Sequence, residues 1–366
     1  MNIGVLKETL AGERRVALVP SACLHLTDKG HSVHIEEGAG IAAGFDDAAY
    51  RDAGAAVMSR SEVLQRATLV LRVAVPSPVE IAELRSGQSL VSYVYPRRHR
   101  DVLDALAARG VTTYALDAMP RITRAQSMDV LSSQNNLAGY KAVIVGANAL
   151  GRVFPLMMTA AGTVTPAKVL IYGAGVAGLQ AIATAKRLGA RVEVSDIRPE
   201  TKEQVESLGA KFIMVEGLDR VNVQGGYVAD IDSDVLARQT AAVEKSLSEA
   251  DLVITTALVA GGTAPRLITA AQVAKMKRGS VIVDMATEAG GNCELSKPDA
   301  TVEHNGVTII GCNNLASSVP THASELYAKN VTTFLAAVAT SDGISTDTSD
   351  EIVAATMVTY GSEVRA

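Results

Sequence analysis

Two stretches of the sequence hold residues whose types and spacing could do chemistry. Gly173-Ala-Gly175-Val-Ala-Gly178 follows the apolar run Val169–Tyr172 and opens a helical stretch at Val176. In that setting the first glycine permits a tight turn. The second lets backbone approach a pyrophosphate, and the third lets helix pack on strand. The helix N-terminus then offers N–H groups and partial positive charge to phosphate. Asp196 ends the next apolar run, 18 residues beyond Gly178. A carboxylate there can accept both hydroxyls of an adenosine ribose and repels a 2′-phosphate, so the pattern favours NAD(H) over NADP(H). Arg198, two residues on, works the other way, because an arginine can accommodate a 2′-phosphate. Thr255-Thr-Ala-Leu258 ends a later strand, so Ala257 and Leu258 either line the same cleft or form a plain strand exit.

The second stretch is Arg121-Ile-Thr-Arg124-Ala-Gln126-Ser127-Met-Asp129-Val-Leu-Ser132-Ser-Gln134. It packs two arginines, two glutamines, an aspartate and several hydroxyls into 14 residues. At a domain junction such a cluster is either a ligand site or a solvated linker with a helix cap.

Positioning these groups takes two α/β domains. In residues 1–130, Ile3–Leu6, Ser32–Glu36, Thr68–Val73, Ser89–Tyr93 and Val111–Ala115 read as strands, with helices at Ala22–Lys29, Ala48–Ala53 and Val102–Ala108 between them. That alternation implies a parallel sheet covered on both faces. Leu137, Tyr140, Ile144, Ala147, Phe154 and Met158 recur at helical spacing, predicting a bridging helix that Pro155 kinks or ends. The following βαβ units run through strands at Val169–Tyr172, Arg191–Ser195, Lys211–Val215, Leu252–Thr256, Val281–Met285 and Val307–Ile310. Ala323–Val338 carries one stripe of Tyr327, Val331, Phe334 and Val338, and is expected to pack back on the first domain. The expected architecture is two Rossmann-like, doubly wound parallel-sheet domains with a cleft between them. The first is discontinuous, residues 1–130 plus 315–366, and the second covers residues 135–312.

Composition narrows the function classes. The 366 residues are 48% apolar and 20% charged, with net charge −5. There is no basic surplus to neutralise phosphates, and aromatics at 4% without Trp provide few stacking platforms, so nucleic acid is excluded as a partner. Cys23, Cys293 and Cys312 stand alone, which fits a reducing compartment and neither a disulfide framework nor a zinc site. Lys7 and Glu8 break any leader-like apolar run. The 17 uncharged residues between Lys168 and Lys186 include the three motif glycines, short of the ~20 mostly apolar residues of a membrane span. The expectation is a cytoplasmic chain without direct membrane insertion.

Several motifs together resemble the NAD(H)-binding component of proton-translocating NAD(P) transhydrogenases. They are Arg121 to Ala138, Thr159-Ala-Ala-Gly-Thr-Val-Thr-Pro166, the glycine turn, Thr201-Lys-Glu-Gln-Val-Glu-Ser-Leu-Gly209, Val283-Asp-Met-Ala-Thr-Glu-Ala-Gly-Gly-Asn-Cys293, and the opening Lys7-Glu with Glu13-Arg-Arg15-Val-Ala. The Arg-Ala-Gln-Ser-Met-Asp loop is the most specific of them. The resemblance implies hydride transfer between NADH bound here and NADP(H) on a partner subunit, coupled to proton movement. It implies a homodimer held peripherally on the inner membrane through a membrane-spanning subunit and an NADP(H)-binding subunit. It assigns Arg121 and Asp129 to the carboxamide region of the nicotinamide, with Ser132 in support, and Gln126 to a reach toward the partner's nucleotide. Ile122, Thr123 and Arg124 fall among its cofactor contacts, as do Val176, Gly226, Gln239 and Leu258. Asp196, Ile197 and Arg198 hold the adenosine ribose, and Tyr227 lies on a mobile loop that closes over bound nucleotide. No metal is implied. Such chemistry needs apposed rings and exclusion of water rather than a general acid or base.

The alternative is an alanine dehydrogenase-like oxidoreductase, which shares the opening pattern. That family uses an N-terminal arginine, a lysine and a histidine on a 2-oxo acid. Arg15 is in place, but Ala74 stands at the lysine position and Ser92-Tyr93-Val94-Tyr95-Pro96 offers no histidine; the nearest is His99. Arg72 and Ala74 also depart from the transhydrogenase pattern, where a lysine and a glutamine are expected. A redox-sensing module is a third class, and no output domain accompanies it.

Overall fold

A computed structural model describes residues 1–217, 222–224, 227–230, 233–258, 262–340 and 343–365. The chain divides into two units, Met1–Gln134 with Ala316–Ala366, and Asn135–Leu315. Strands β1 (Asn2–Val5), β2 (Ser32–Glu36), β3 (Ala56–Met58), β4 (Leu69–Leu71), β5 (Ser89–Ser92) and β6 (Thr112–Ala115) open the first unit. The second contains β7 (Met157–Thr159), β8 (Gly162–Val164), β9 (Lys168–Tyr172), β10 (Arg191–Ser195), β11 (Lys211–Phe212), β12 (Asn222–Gln224), β13 (Tyr227–Asp230), β14 (Leu252–Thr255), β15 (Val281–Asp284), β16 (Thr301–His304) and β17 (Val307–Gly311). The chain closes with β18 (Met357–Tyr360) and β19 (Glu363–Val364).

The first unit is an eight-stranded sheet ordered β19-β18-β6-β5-β4-β1-β2-β3. Strands β1 to β6 run parallel, and β18 joins β6 antiparallel. Alternate residues feed two cores, as the pleat requires. Ile3, Val5, Leu69, Leu71 and Val91 face one side with Tyr327, Val331, Phe334 and Val338 of the helix Pro320–Val338. Val70, Leu90 and Ala115 face the other with Val63, Leu103 and Leu106.

The second unit is a seven-stranded sheet ordered β11-β10-β9-β14-β15-β17-β16, parallel except for the edge strand β16. The chain builds outward from β9 through β10 and β11, then returns to pair β14 on the other side of β9. The carboxyl ends of β9 and β14 therefore form the switch point where ligands of open α/β sheets bind. Val169, Ile171, Leu252 and Ile254 face a core with Ala181, Ile182 and Ala185 of the helix Val176–Arg187. Leu170, Tyr172, Val253 and Ile282 face Val243, Leu247 and Val273.

The bridging helix differs from expectation. It covers Val130–Ala149 and stops before Pro155, while Phe154 lies beyond it and Met158 sits in the β7–β8 hairpin. Its buried face is Ala138, Ala142, Val143 and Gly146, whereas Tyr140 is exposed. Small residues form the contact because the backbones approach closely: a Cβ on Gly139 would stand 2.1 Å from the Ala177 carbonyl oxygen. The region Lys211–Val215 is a strand for two residues only, and residues 56–58 and 301–304 add strands not read from sequence. No helix among the described residues is long and apolar enough to cross a membrane.

Candidate functional site

In the second unit the glycine turn links β9 to the helix Val176–Arg187. Gly173 has φ +97°, a left-handed conformation that side chains resist. Gly178 sits where a Cβ would be 1.8 Å from the Gly173 carbonyl oxygen, so glycine is required there. A Cβ on Gly175 would meet nothing within 4 Å, which leaves open space over the helix N-terminus. Lys186 and Arg187 in the last turn complement the dipole at the other end.

Asp196 follows β10 and points back at that turn. Its side chain is buried, and it accepts from the Ala174 N–H at 2.7 Å, the Arg198 N–H at 2.8 Å, Arg198 Nε at 2.9 Å and Arg198 Nη2 at 2.7 Å. Gln239, on the helix Ser233–Glu249, donates through Nε2 to Ser195 Oγ at 3.1 Å and the Ile213 carbonyl at 3.2 Å. Its Oε1 is buried without a donor among the described residues. Val176, Ile197 and Leu258 expose apolar side chains at the ends of β9, β10 and β14. Tyr227 opens β13. Gly226 lies outside the described residues.

In the first unit the polar loop is a 3-10 turn, Thr123–Met128, anchored by buried Ala125 and Met128. Gln126 is exposed, as are Arg121 and Thr123, while Ile122 is half-buried. Arg124 is tied to Asp350 through two hydrogen bonds, at 2.6 and 3.0 Å. Asp129 caps the helix Val130–Ala149. Its carboxylate accepts from the Ser132 N–H at 2.9 Å and from Ser132 Oγ at 2.6 Å, so Ser132 fixes its orientation. Asn330 supports the loop from the helix Pro320–Val338, donating to the Ser127 carbonyl and accepting from Ser133 Oγ.

Two family models account for the chain: alanine dehydrogenase/PNT, N-terminal domain, over residues 4–138, and alanine dehydrogenase/PNT, C-terminal domain, over residues 142–366. The chain belongs to the alanine dehydrogenase/PNT family. It is similar to the first of the two pieces of the NAD(P) transhydrogenase alpha subunit of Rhodospirillum rubrum, with 49% identity over 343 residues, 92% of this chain and 89% of that one. The crystal structure of transhydrogenase from Sinorhizobium meliloti superposes with TM-score 0.92 at 44% identity, covering 100% of both chains. An L-alanine dehydrogenase structure is more distant, with TM-score 0.82 and 30% identity over 100% of this chain and 96% of that one.

The residues present fit a dinucleotide. The open space at Gly175 admits a pyrophosphate, Asp196 stands at the ribose position, and the orphaned Gln239 oxygen offers an acceptor at the adenine end. Two buried polar residues that sequence reading did not single out shape this site within the family fold. Asp284, at the end of β15, accepts from Thr255 Oγ1, the Ala286 N–H, the Cys293 N–H and Ser296 Oγ. Asn292 accepts from the Ala257 N–H at 3.1 Å and donates to the Ala257 carbonyl at 2.9 Å and the Pro265 carbonyl at 2.8 Å. It thereby fixes the exit from β14 that leads to Leu258. The one signal in the sequence was a carboxylate and an amide set into the Val283–Cys293 motif.

The first unit also buries charge. Arg72 pairs with Glu8 at 3.0 Å and with Glu80 at 2.7 Å. Burial pushes the Glu8 carboxyl up against the pull of Arg72. Glu80 resists the same burial, because Arg72, the Ser77 N–H and Thr9 hold it down at about 2. Arg15 donates from Nε and Nη2 to the two Glu13 oxygens and from Nη1 to Gln134 Oε1. Burial disfavours the Arg15 charge, but Glu13 more than reverses this, and the guanidinium stays charged.

Proposed function

We propose that this chain is the NAD(H)-binding subunit of a proton-translocating NAD(P) transhydrogenase. Bound here, NADH supplies a hydride to NADP⁺ held by a partner subunit. The observation that carries the reading is a buried Asp196 aimed at a glycine turn whose second glycine opens onto empty space.

Each residue group then has a task. Backbone N–H groups at the start of the helix Val176–Arg187 hold the pyrophosphate. Asp196 accepts the adenosine ribose hydroxyls, with Ile197 and Arg198 beside it. Gln239 Oε1 accepts from the adenine amine, and Val176 and Leu258 supply apolar walls. Gly226 and Tyr227 belong to a segment that closes over the nucleotide. Arg121 and Asp129 serve the nicotinamide carboxamide, with Ser132 holding the Asp129 carboxylate in place, and Ile122, Thr123 and Arg124 complete the loop. Gln126 is exposed and reaches toward the partner's nucleotide. None of these residues needs to gain or lose a proton, which suits direct hydride transfer.

The partners are an NADP(H)-binding subunit and a membrane-spanning subunit, which hold the chain at the inner membrane and couple transfer to proton movement. A homodimer forms as well, and the exposed Leu156, Met157, Met158 and Val164 at the β7–β8 hairpin give it an apolar contact. The test uses the purified chain. It binds NADH in preference to NADPH, and it reduces an NADP⁺ analogue only when an NADP(H)-binding partner is added. Gln126→Asn slows that transfer far more than it weakens NADH binding. Partner-independent transfer, or preference for NADPH, refutes the assignment.

A further inference from the structure

A carboxylate offers about four lone-pair positions to donors. At Asp196 the four donors already described fill them: two are backbone N–H groups, from Ala174 and Arg198, and two come from the Arg198 guanidinium. The backbone donors cannot leave. Ala174 is held in the glycine turn, where the Gly173 N–H is itself bonded to the Ser195 carbonyl, and the Arg198 N–H lies two residues from the carboxylate it serves. The guanidinium is different: it hangs on a flexible stem and is partly exposed, whereas the Asp196 side chain is buried. A ribose that donates two hydroxyls to Asp196 must therefore take the positions that Nε and Nη2 hold.

We propose that Arg198 is an internal competitor for the ribose site, a specificity-setting residue that must turn off Asp196 before the dinucleotide seats. The proposal rests on the reading that Asp196 receives the adenosine ribose of NAD(H). Its consequence for selectivity is asymmetric. For NADH the guanidinium occupies the acceptor and weakens binding. For a dinucleotide bearing a 2′-phosphate the same cation neutralises Asp196 and can receive the phosphate. Arg198 thus narrows the preference for NADH that Asp196 alone would impose, and keeps the bound nucleotide exchangeable.

The experiment titrates NADH and NADPH separately into the full chain and its variants, following nucleotide fluorescence. Arg198→Met keeps the apolar stem and removes the fork. Two charge-assisted hydrogen bonds no longer compete, so the NADH dissociation constant falls roughly tenfold. The NADPH constant rises over the same titration. A merely structural role for Arg198 would weaken both. Arg198→Lys, which cannot fork, lies between wild type and Arg198→Met, and it carries the test if the methionine variant fails to fold. Asp196→Asn separates the two claims. If Asp196→Asn loses NADH but Arg198→Met and Arg198→Lys bind it no tighter than wild type, the competitor role is refuted and the ribose assignment stands. If Asp196→Asn binds NADH as wild type does, the ribose assignment itself fails.

Discussion

Two alanine substitutions three residues apart separate what the glycine turn does for folding from what it does for the ligand. At Gly178 a new Cβ would stand 1.8 Å from the Gly173 carbonyl oxygen. Ordinary contact begins near 3.4 Å, so the turn and the helix must part by about 1.6 Å. Overpacking of that kind costs about 3 kcal/mol, and a shift near 1 Å in a positioning element costs roughly a hundredfold in function. Gly178→Ala therefore lowers both stability and NADH affinity. At Gly175 the new Cβ meets nothing within 4 Å, and the backbone φ of −77° suits any residue. Gly175→Ala leaves stability within about 0.5 kcal/mol of wild type. The same methyl projects into the space left for a pyrophosphate, and NADH affinity falls by at least about tenfold, 1.4 kcal/mol. Urea unfolding and NADH fluorescence titration on each variant read the two effects. Gly175→Ala with wild-type NADH affinity would show that the open space is not where the nucleotide's phosphates lie.

Two further substitutions test the buried polar groups. Asn292→Ala removes three hydrogen bonds that hold the β14 exit, costing about 3 kcal/mol at roughly 1 kcal/mol each; urea unfolding measures this, and a loss under 1 kcal/mol would mean the exit holds itself. NADH affinity should also drop in that variant as the Ala257–Leu258 backbone loosens. Arg72→Met leaves Glu8 and Glu80 buried without their cation and costs about 3–5 kcal/mol near neutral pH. The sign of its pH dependence follows from the carboxyls. In the wild type, Glu80 contributes stability above its unfolded value of 4.5 that is lost as pH falls toward about 2. Glu8 is raised by burial, so its contribution is greatest below 4.5 and fades as pH rises through its folded value. Without Arg72 both carboxyls shift upward and take protons in the folded state, so the deficit shrinks as pH is lowered from 8 to about 5.5. A deficit that does not change with pH would contradict the ion-pair account.

The glycine turn and Asp196 were legible because their chemistry is local: strand, turn, helix and acid fall within about 30 residues, and the spacing encodes the geometry. The helix Pro320–Val338 was legible for a similar reason, since its buried stripe is written in large apolar residues. The helix Val130–Ala149 was misread at its far end and on its face, because glycine and alanine make its contacts. Gly146, for example, lies against Leu252 so closely that a Cβ would be 2.5 Å from that side chain. A hydrophobic pattern weights Leu137 and Tyr140 above such positions, and it carried the period on to Phe154 and Met158 past a helix that had ended. The Arg72 cluster, Asn292 and the orphaned Gln239 oxygen were invisible for another reason. Their partners come from distant segments, 64 residues away for Glu8 and Arg72 and 35 for Ala257 and Asn292.

The last prediction concerns the chemistry that related dehydrogenases perform on 2-oxo acids. An arginine clamps a carboxylate by presenting two parallel N–H groups from its fork. In this chain Arg15 presents that fork to Glu13, with Nε and Nη2 on its two oxygens, and turns Nη1 to Gln134. Ala74 and Tyr95 bring no cation or imidazole to the same unit's strand ends, and His99 lies against the Tyr95 ring with centroids 6.5 Å apart. A free oxo acid would have to displace a buried carboxylate two residues from the arginine it holds, an intramolecular competitor at very high effective concentration. The chain should therefore show no turnover of L-alanine with NAD⁺, and millimolar pyruvate or glyoxylate should leave its melting temperature unchanged. Gln134→Ala should not alter either result, because the fork remains on Glu13. A melting shift with pyruvate that disappears in Arg15→Met would show that the Glu13 lock opens, and the occupancy argument would fall with it.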